Sequence, residues 1–165
     1  MNLLSTGGPV RKGKETMKRQ RGAAAVEMAL VLPFLLLLFL GLIQFGWLLL
    51  NSVSVVNAAS DTARFFASQR GVATPYTNTQ AQVRAAASLL TPSGLSVTTT
   101  VNGVACTSDA GCAAALASAS SPSVSIPATV TVTYSSFRPI FSGPVYSLDF
   151  TMPSQLTSSA TERVQ

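Results

Sequence analysis

From Met28 to Ile43 no ionisable side chain interrupts the chain, and past Gln44 the apolar run resumes as Phe45-Gly46-Trp47-Leu48-Leu49-Leu50. A helix over Met28–Leu50 is about 35 Å long at ~1.5 Å per residue, enough to cross a hydrocarbon core of about 30 Å. Pro33 falls in the first turns of this span, where a missing backbone donor costs least. Trp47 falls toward the far end, where an indole suits the membrane interface.

Helical periodicity continues past Asn51. Val56, Ala59, Ala63 and Phe66 recur at spacings of three and four, forming one stripe that packs on the protein's own globular part or on a partner. Asp61 and Arg64 lie three apart on the surface, and Gly71 supplies a C-cap after Gln69-Arg70. One helix over about 23–70 is therefore predicted, half in lipid and half outside it.

The remainder changes period. Thr74 to Asn78 reads as a turn into a second helix at about Thr79–Leu90, with Val83, Ala86/Ala87 and Leu90 as its apolar stripe and Thr91-Pro92-Ser93-Gly94 as its stop. Leu95, Val97, Thr99 and Val101 alternate with polar residues, predicting a strand that ends in an Asn102-Gly103 turn. Cys106 to Ser123 reads as an Ala/Ser-rich loop. A second strand follows over Val124–Tyr134, in which Pro127 suits an edge or a bulge. Phe137 to Pro144 is a loop with apolar residues to offer a partner, and alternation returns at Tyr146–Met152 and Leu156–Val164. The expected class is α+β: a long N-terminal helix, transmembrane in its first half, then a small antiparallel-sheet domain with a second helix. The expected divisions are 1–22, 23–50, 51–71 and 72–165.

Composition sharpens this picture. Hydrophobic residues make up 47% and charged residues 10% of the 165, against about 25% charged in an ordinary soluble domain. The net charge of +5 lies wholly in residues 1–22, where Glu15 alone opposes six basic side chains. From Ala23 onward arginines and acids balance, so no basic face remains to neutralise phosphates and nucleic acid is not an expected partner. The basic tail places residues 1–22 in the cytoplasm and the C-terminal domain outside, in the periplasm or beyond. A cleaved secretory signal fits less well, because its apolar region is usually only about 7–15 residues.

The chain has no histidine, and its three lysines (Lys12, Lys14 and Lys18) all precede the span. That removes histidine-based triads and leaves no outer base for the many serines and threonines, so no catalytic residue is expected. No phosphate cradle or calcium loop is recognisable, and neither metal, cofactor nor small-molecule substrate is expected. Cys106 and Cys112 bracket Thr-Ser-Asp-Ala-Gly, a turn-forming stretch on which a small disulfide loop can close in an oxidising compartment.

A basic leader, Gly22, four small or apolar residues, Glu27 and an unbroken apolar helix resemble the type IV prepilin pattern. The stretches AAAVEMALVLPFLLLLFLGLIQFG and NAASDTARFFASQRG resemble more narrowly the TadE-like proteins, minor pilins or pseudopilins of tight-adherence (Tad) pili, with Glu27, Pro33, Gln44, Phe45 and Gly46 at matching positions. Met28 stands where that family usually has an aromatic residue. The resemblance implies a bacterial inner-membrane protein whose leader a prepilin peptidase cuts between Gly22 and Ala23. A leader counted from Met17 would be short, as prepilin leaders are. Glu27 would then be the fifth mature residue, an assembly carboxylate meeting a neighbouring subunit's N-terminal amine; the other reading is a solvated interfacial charge favoured by the helix dipole. Gly41, Gln44 and Gly46 would pack against helices of other pilins or of the Tad machinery. A separate functional reading is an uncleaved, signal-anchored scaffold or binding domain outside the membrane.

Overall fold

The computed structural model describes residues 13–119, 126–141 and 152–165. Two compact units divide between Ile43 and Gln44. Helix α1, Gly13–Ala67, contributes to both. The described part of the first unit is its N-terminal portion, and the residues from 22 to 39 are all exposed. Pro33 is deep inside this helix, not in its first turns, because the helix extends back through the basic segment to Gly13. Its ring removes the bond that residue 33 would make to the carbonyl of Ala29.

The second unit is α+β. After α1 come α2 (Pro75–Ala86), a 3-10 turn at Pro92–Gly94, β1 (Leu95–Val101), β2 (Val104–Cys106), α3 (Asp109–Ser118), β3 (Pro127–Tyr134) and β4 (Leu156–Arg163). The four strands form one antiparallel sheet in the order β2-β1-β3-β4. Asn102 and Gly103 both have positive φ (52° and 78°), the combination that a two-residue hairpin needs to follow strand twist. Val101 pairs with Val104 across that turn.

The sheet's inner face carries Val101, Ala128, Val130, Val132, Tyr134 and Leu156, all buried. On the other face hydroxyls line up in rows: Thr100, Thr129 and Thr161 abreast, then Thr98, Thr131 and Ser159. The Thr129 and Thr161 hydroxyls are 2.7 Å apart, a cross-strand hydrogen bond of the kind that supports antiparallel pairs. Pro127 is the first residue of β3, which lies between β1 and β4, and is not an edge or bulge residue. A proline is tolerated there because no earlier ladder bond is lost.

Helix α1 packs into this core through Val55, Ala58, Ala59, Ala63, Phe66 and Ala67. The stripe is displaced by one residue from the expected one at its start: Val55 is buried and Val56 is 49% exposed. Four alanines on that face let the helix backbone approach its neighbours closely. The helix ends at Ala67, before the expected Gln69-Arg70, and Gly71 at φ 80° turns the chain beyond it.

Helix α2 starts four residues earlier than the expected Thr79, because Pro75 occupies its first turn, where a missing N–H is no loss. It also ends earlier, at Ala86; Ala87 and Leu90 remain buried, but in the following turn. A largely buried polar clasp ties this helix to the turn after α1. Thr79 donates to the Pro75 carbonyl at 2.6 Å and accepts from Gln69 Nε2 at 3.3 Å, while Asn78 Nδ2 donates to Gln69 Oε1 at 3.0 Å.

The expected Cys106–Ser123 loop contains a helix. Ser108 caps α3 by accepting from the Gly111 N–H at 3.2 Å, and the alanine-rich run after it has high helix propensity. Asp109 opens the helix and accepts from the Thr77 backbone N–H (2.8 Å) and hydroxyl (2.6 Å), joining the N-terminal turns of α2 and α3. Those bonds, the hydroxyl's first, hold the Asp109 carboxyl below its ordinary pKa. The strand expected at Tyr146–Met152, residues 120–125 and the far end of the Phe137–Pro144 loop lie outside the described residues, apart from Met152 itself.

Candidate functional site

Among the described residues the features that stand apart from ordinary packing are the exposed apolar helix and the turn of α1 that begins the second unit. In the first unit, Gly22, Ala23 and Glu27 are all exposed. Both Gly22 and Ala23 lie within α1, and a Cβ built at Gly22 would meet no described atom beyond its own helix backbone and chain neighbours within 4 Å. The ion pair among the described side chains is Arg64–Glu162, at 3.3 Å. Asp61, expected beside Arg64 on the surface, is exposed, and the arginine turns to β4 instead.

The three residues expected to pack helices sit in different surroundings. Cβ atoms built at Gly41 and Gly46 would meet nothing within 4 Å. Gln44 is fully buried, and its Oε1 accepts the backbone N–H groups of Ile140 (3.1 Å) and Phe141 (3.3 Å). One turn on, the Trp47 indole N–H donates to the Arg138 carbonyl at 3.2 Å. Phe137 is buried in the core, so the loop after β3 is fastened at both ends of the segment 137–141. A lone polar residue inside an apolar run, followed three residues later by a tryptophan, is the only trace of this contact in the sequence. Nothing local says which distant backbone groups it serves.

Cys106 and Cys112 are bonded to each other, joining the end of β2 to α3. Buried Thr99 donates its hydroxyl to the Cys106 carbonyl at 2.6 Å and lies 3.3 Å from the Cys106 sulfur, a contact invisible in the alternating strand pattern. No group of three or more metal-ligating side chains is present among the described residues.

Among the described residues there is thus one N-terminal helix long and apolar enough to cross a membrane, followed by a small α+β unit. A family model described as TadE-like protein matches residues 22–64, which begin at the glycine and end within α1. No curated protein and no solved structure matches the chain. A TadE-like segment carried on an N-terminal apolar helix fits a membrane protein related to Tad pili.

Proposed function

We propose that the chain is a single-pass inner-membrane protein, a minor pilin or pseudopilin that supports assembly of a Tad pilus used in adhesion or secretion. The observation that carries this reading is a coincidence of positions. The TadE-like match starts at Gly22, and the residues after it form an exposed apolar helix that carries one carboxylate, Glu27, five residues past that glycine.

In this reading a membrane prepilin peptidase cuts between Gly22 and Ala23 on the cytoplasmic side. The freed amine of Ala23 is a cation, with an ordinary pKa of about 8. An amine and a carboxylate are each costly in an apolar bundle and tolerable when paired, so Glu27 sets register between helices and is no catalyst. Other pilins or Tad-machine proteins supply the neighbouring helices, and Gly41 and Gly46, with open space around them, permit close approach. The α+β unit stands outside the membrane, and no enzymatic step is assigned to it.

Intact mass and N-terminal sequencing of the protein from its native membrane test the reading. A mature start at Ala23, lost in Gly22→Val, supports processing, and loss of pili in Glu27→Ala supports the assembly role. An uncut wild-type chain would overturn processing and leave an anchored scaffold outside the membrane.

A further inference from the structure

The turn of α1 that leaves the apolar stretch is also the turn that holds the loop after β3. Gln44 and Trp47 bond the backbone of residues 138, 140 and 141, yet the side chains of that loop are not all taken up by the core. Phe137 points inward, whereas Arg138 is exposed and Ile140 is 48% exposed. On the helix, Phe45 and Trp47 are exposed as well. The chain immediately before Gln44 is the uncharged run 28–43.

From this we infer that residues Arg138–Phe141 are a membrane-surface contact of the outer leaflet, with Ile140 at the headgroup–acyl boundary and the Arg138 guanidinium on lipid phosphate. The inference rests on the reading of α1 as a membrane anchor. Its occupant follows from continuity: irregular loop backbone is not accepted in hydrocarbon, so a bilayer entered by residues 28–43 has its outer boundary near the Gln44–Trp47 turn, where the loop is fastened. An aliphatic side chain, an indole and an arginine brought together by the Gln44 and Trp47 hydrogen bonds match the chemistry of that boundary. A phosphate there also gives the guanidinium a charge-assisted partner.

The contact relocates the span. With its outer end at Gln44–Trp47 instead of Leu50, a bilayer-crossing helix occupies about Ala23–Ile43, roughly 32 Å at ~1.5 Å per residue. Glu27 then lies about a turn inside the inner boundary, where an unpaired carboxylate is costly.

The test uses the full chain reconstituted in vesicles of phosphatidylethanolamine with a minority of phosphatidylglycerol. Variants with one added cysteine, Leu36→Cys, Thr98→Cys and Ile140→Cys, are labelled without reductant, so that Cys106 and Cys112 stay bonded, with an environment-sensitive nitrobenzoxadiazole probe, and nitroxide lipids quench it at shallow or deep positions. The expected result is loss of emission at 140 to shallow nitroxides, at 36 to deep ones, and at 98 to neither. Position 140 behaving like 98 while 36 is quenched would overturn the surface contact and leave the anchor standing. An unquenched 36 would overturn the anchor reading itself. Arg138→Glu in the Ile140→Cys chain is expected to reduce the shallow quenching; an unchanged signal would overturn the phosphate contact.

Discussion

Gln44 Oε1 accepts the backbone N–H of Ile140 at 3.1 Å, across 96 positions of the chain. The same oxygen takes the N–H of Phe141, so one buried side chain satisfies two donors that no strand serves. Gln44→Leu keeps the volume and removes both acceptances. Each donor left unsatisfied costs about 1–3 kcal/mol if it stays buried, so the segment is expected to open instead. Hydrogen exchange of the full chain in detergent should show faster exchange at Ile140 and Phe141, with β1 and β3 protected as before. Unchanged exchange at 140 and 141 would count against the tie.

Phe66 and Val56 separate the buried from the exposed face of α1. Phe66 is fully buried, and Phe66→Ala is expected to cost about 3–5 kcal/mol through lost transfer energy and a cavity. Val56→Ala is expected to change stability by less than about 0.5 kcal/mol. Urea unfolding in detergent reads both. Equal losses would mean that the helix is rotated from the orientation described.

Asp109 is held ionised by Thr77, so its contact carries a sign with pH. A carboxyl whose folded pKa lies below its ordinary value of 3.8 adds stability above that value, and the contribution is lost as pH falls through the folded pKa. Asp109→Asn should be less stable than wild type at neutral pH, and the two should converge in acid. Thermal unfolding of both chains across pH makes the comparison. A difference that stays constant with pH would rule out the charged contact.

The Cys106–Cys112 bridge closes a short loop, for which the chain-entropy relation gives about 2 kcal/mol. Reductant should lower the urea midpoint of the full chain by a corresponding amount and have no effect on Cys106→Ser/Cys112→Ser. An identical midpoint with and without reductant would show that the bridge contributes nothing to stability.

Much of the fold was legible because local pattern suffices for it. The alternation of Leu95–Val101 identified β1 to the residue, Asn102-Gly103 identified its turn, and Leu156–Val164 identified β4 within one residue. Errors arose where two local rules compete. Thr74 to Asn78 has turn composition, but Pro75 also suits the first position of a helix, and the clasp among Gln69, Asn78 and Thr79 favours the helix. Gly111 and the serines concealed α3, although Ser108 and the alanines that follow it carry the cap and the propensity.

The sequence by itself determined that an uncharged apolar helix follows a basic segment and a glycine, and that alternating strands come after it. Those properties rest on the solvation of side chains and on helix and strand periods, which act over a few neighbouring residues. Tertiary structure decided that Val55 and not Val56 faces the core, that Arg64 meets Glu162, and that Gln44 serves a loop rather than standing free. Each of these choices depends on groups distant in the chain. At 3.6 residues per turn two adjacent positions are nearly equivalent until a partner surface picks one, and a buried amide oxygen needs donors, which for Gln44 come from residues 140 and 141.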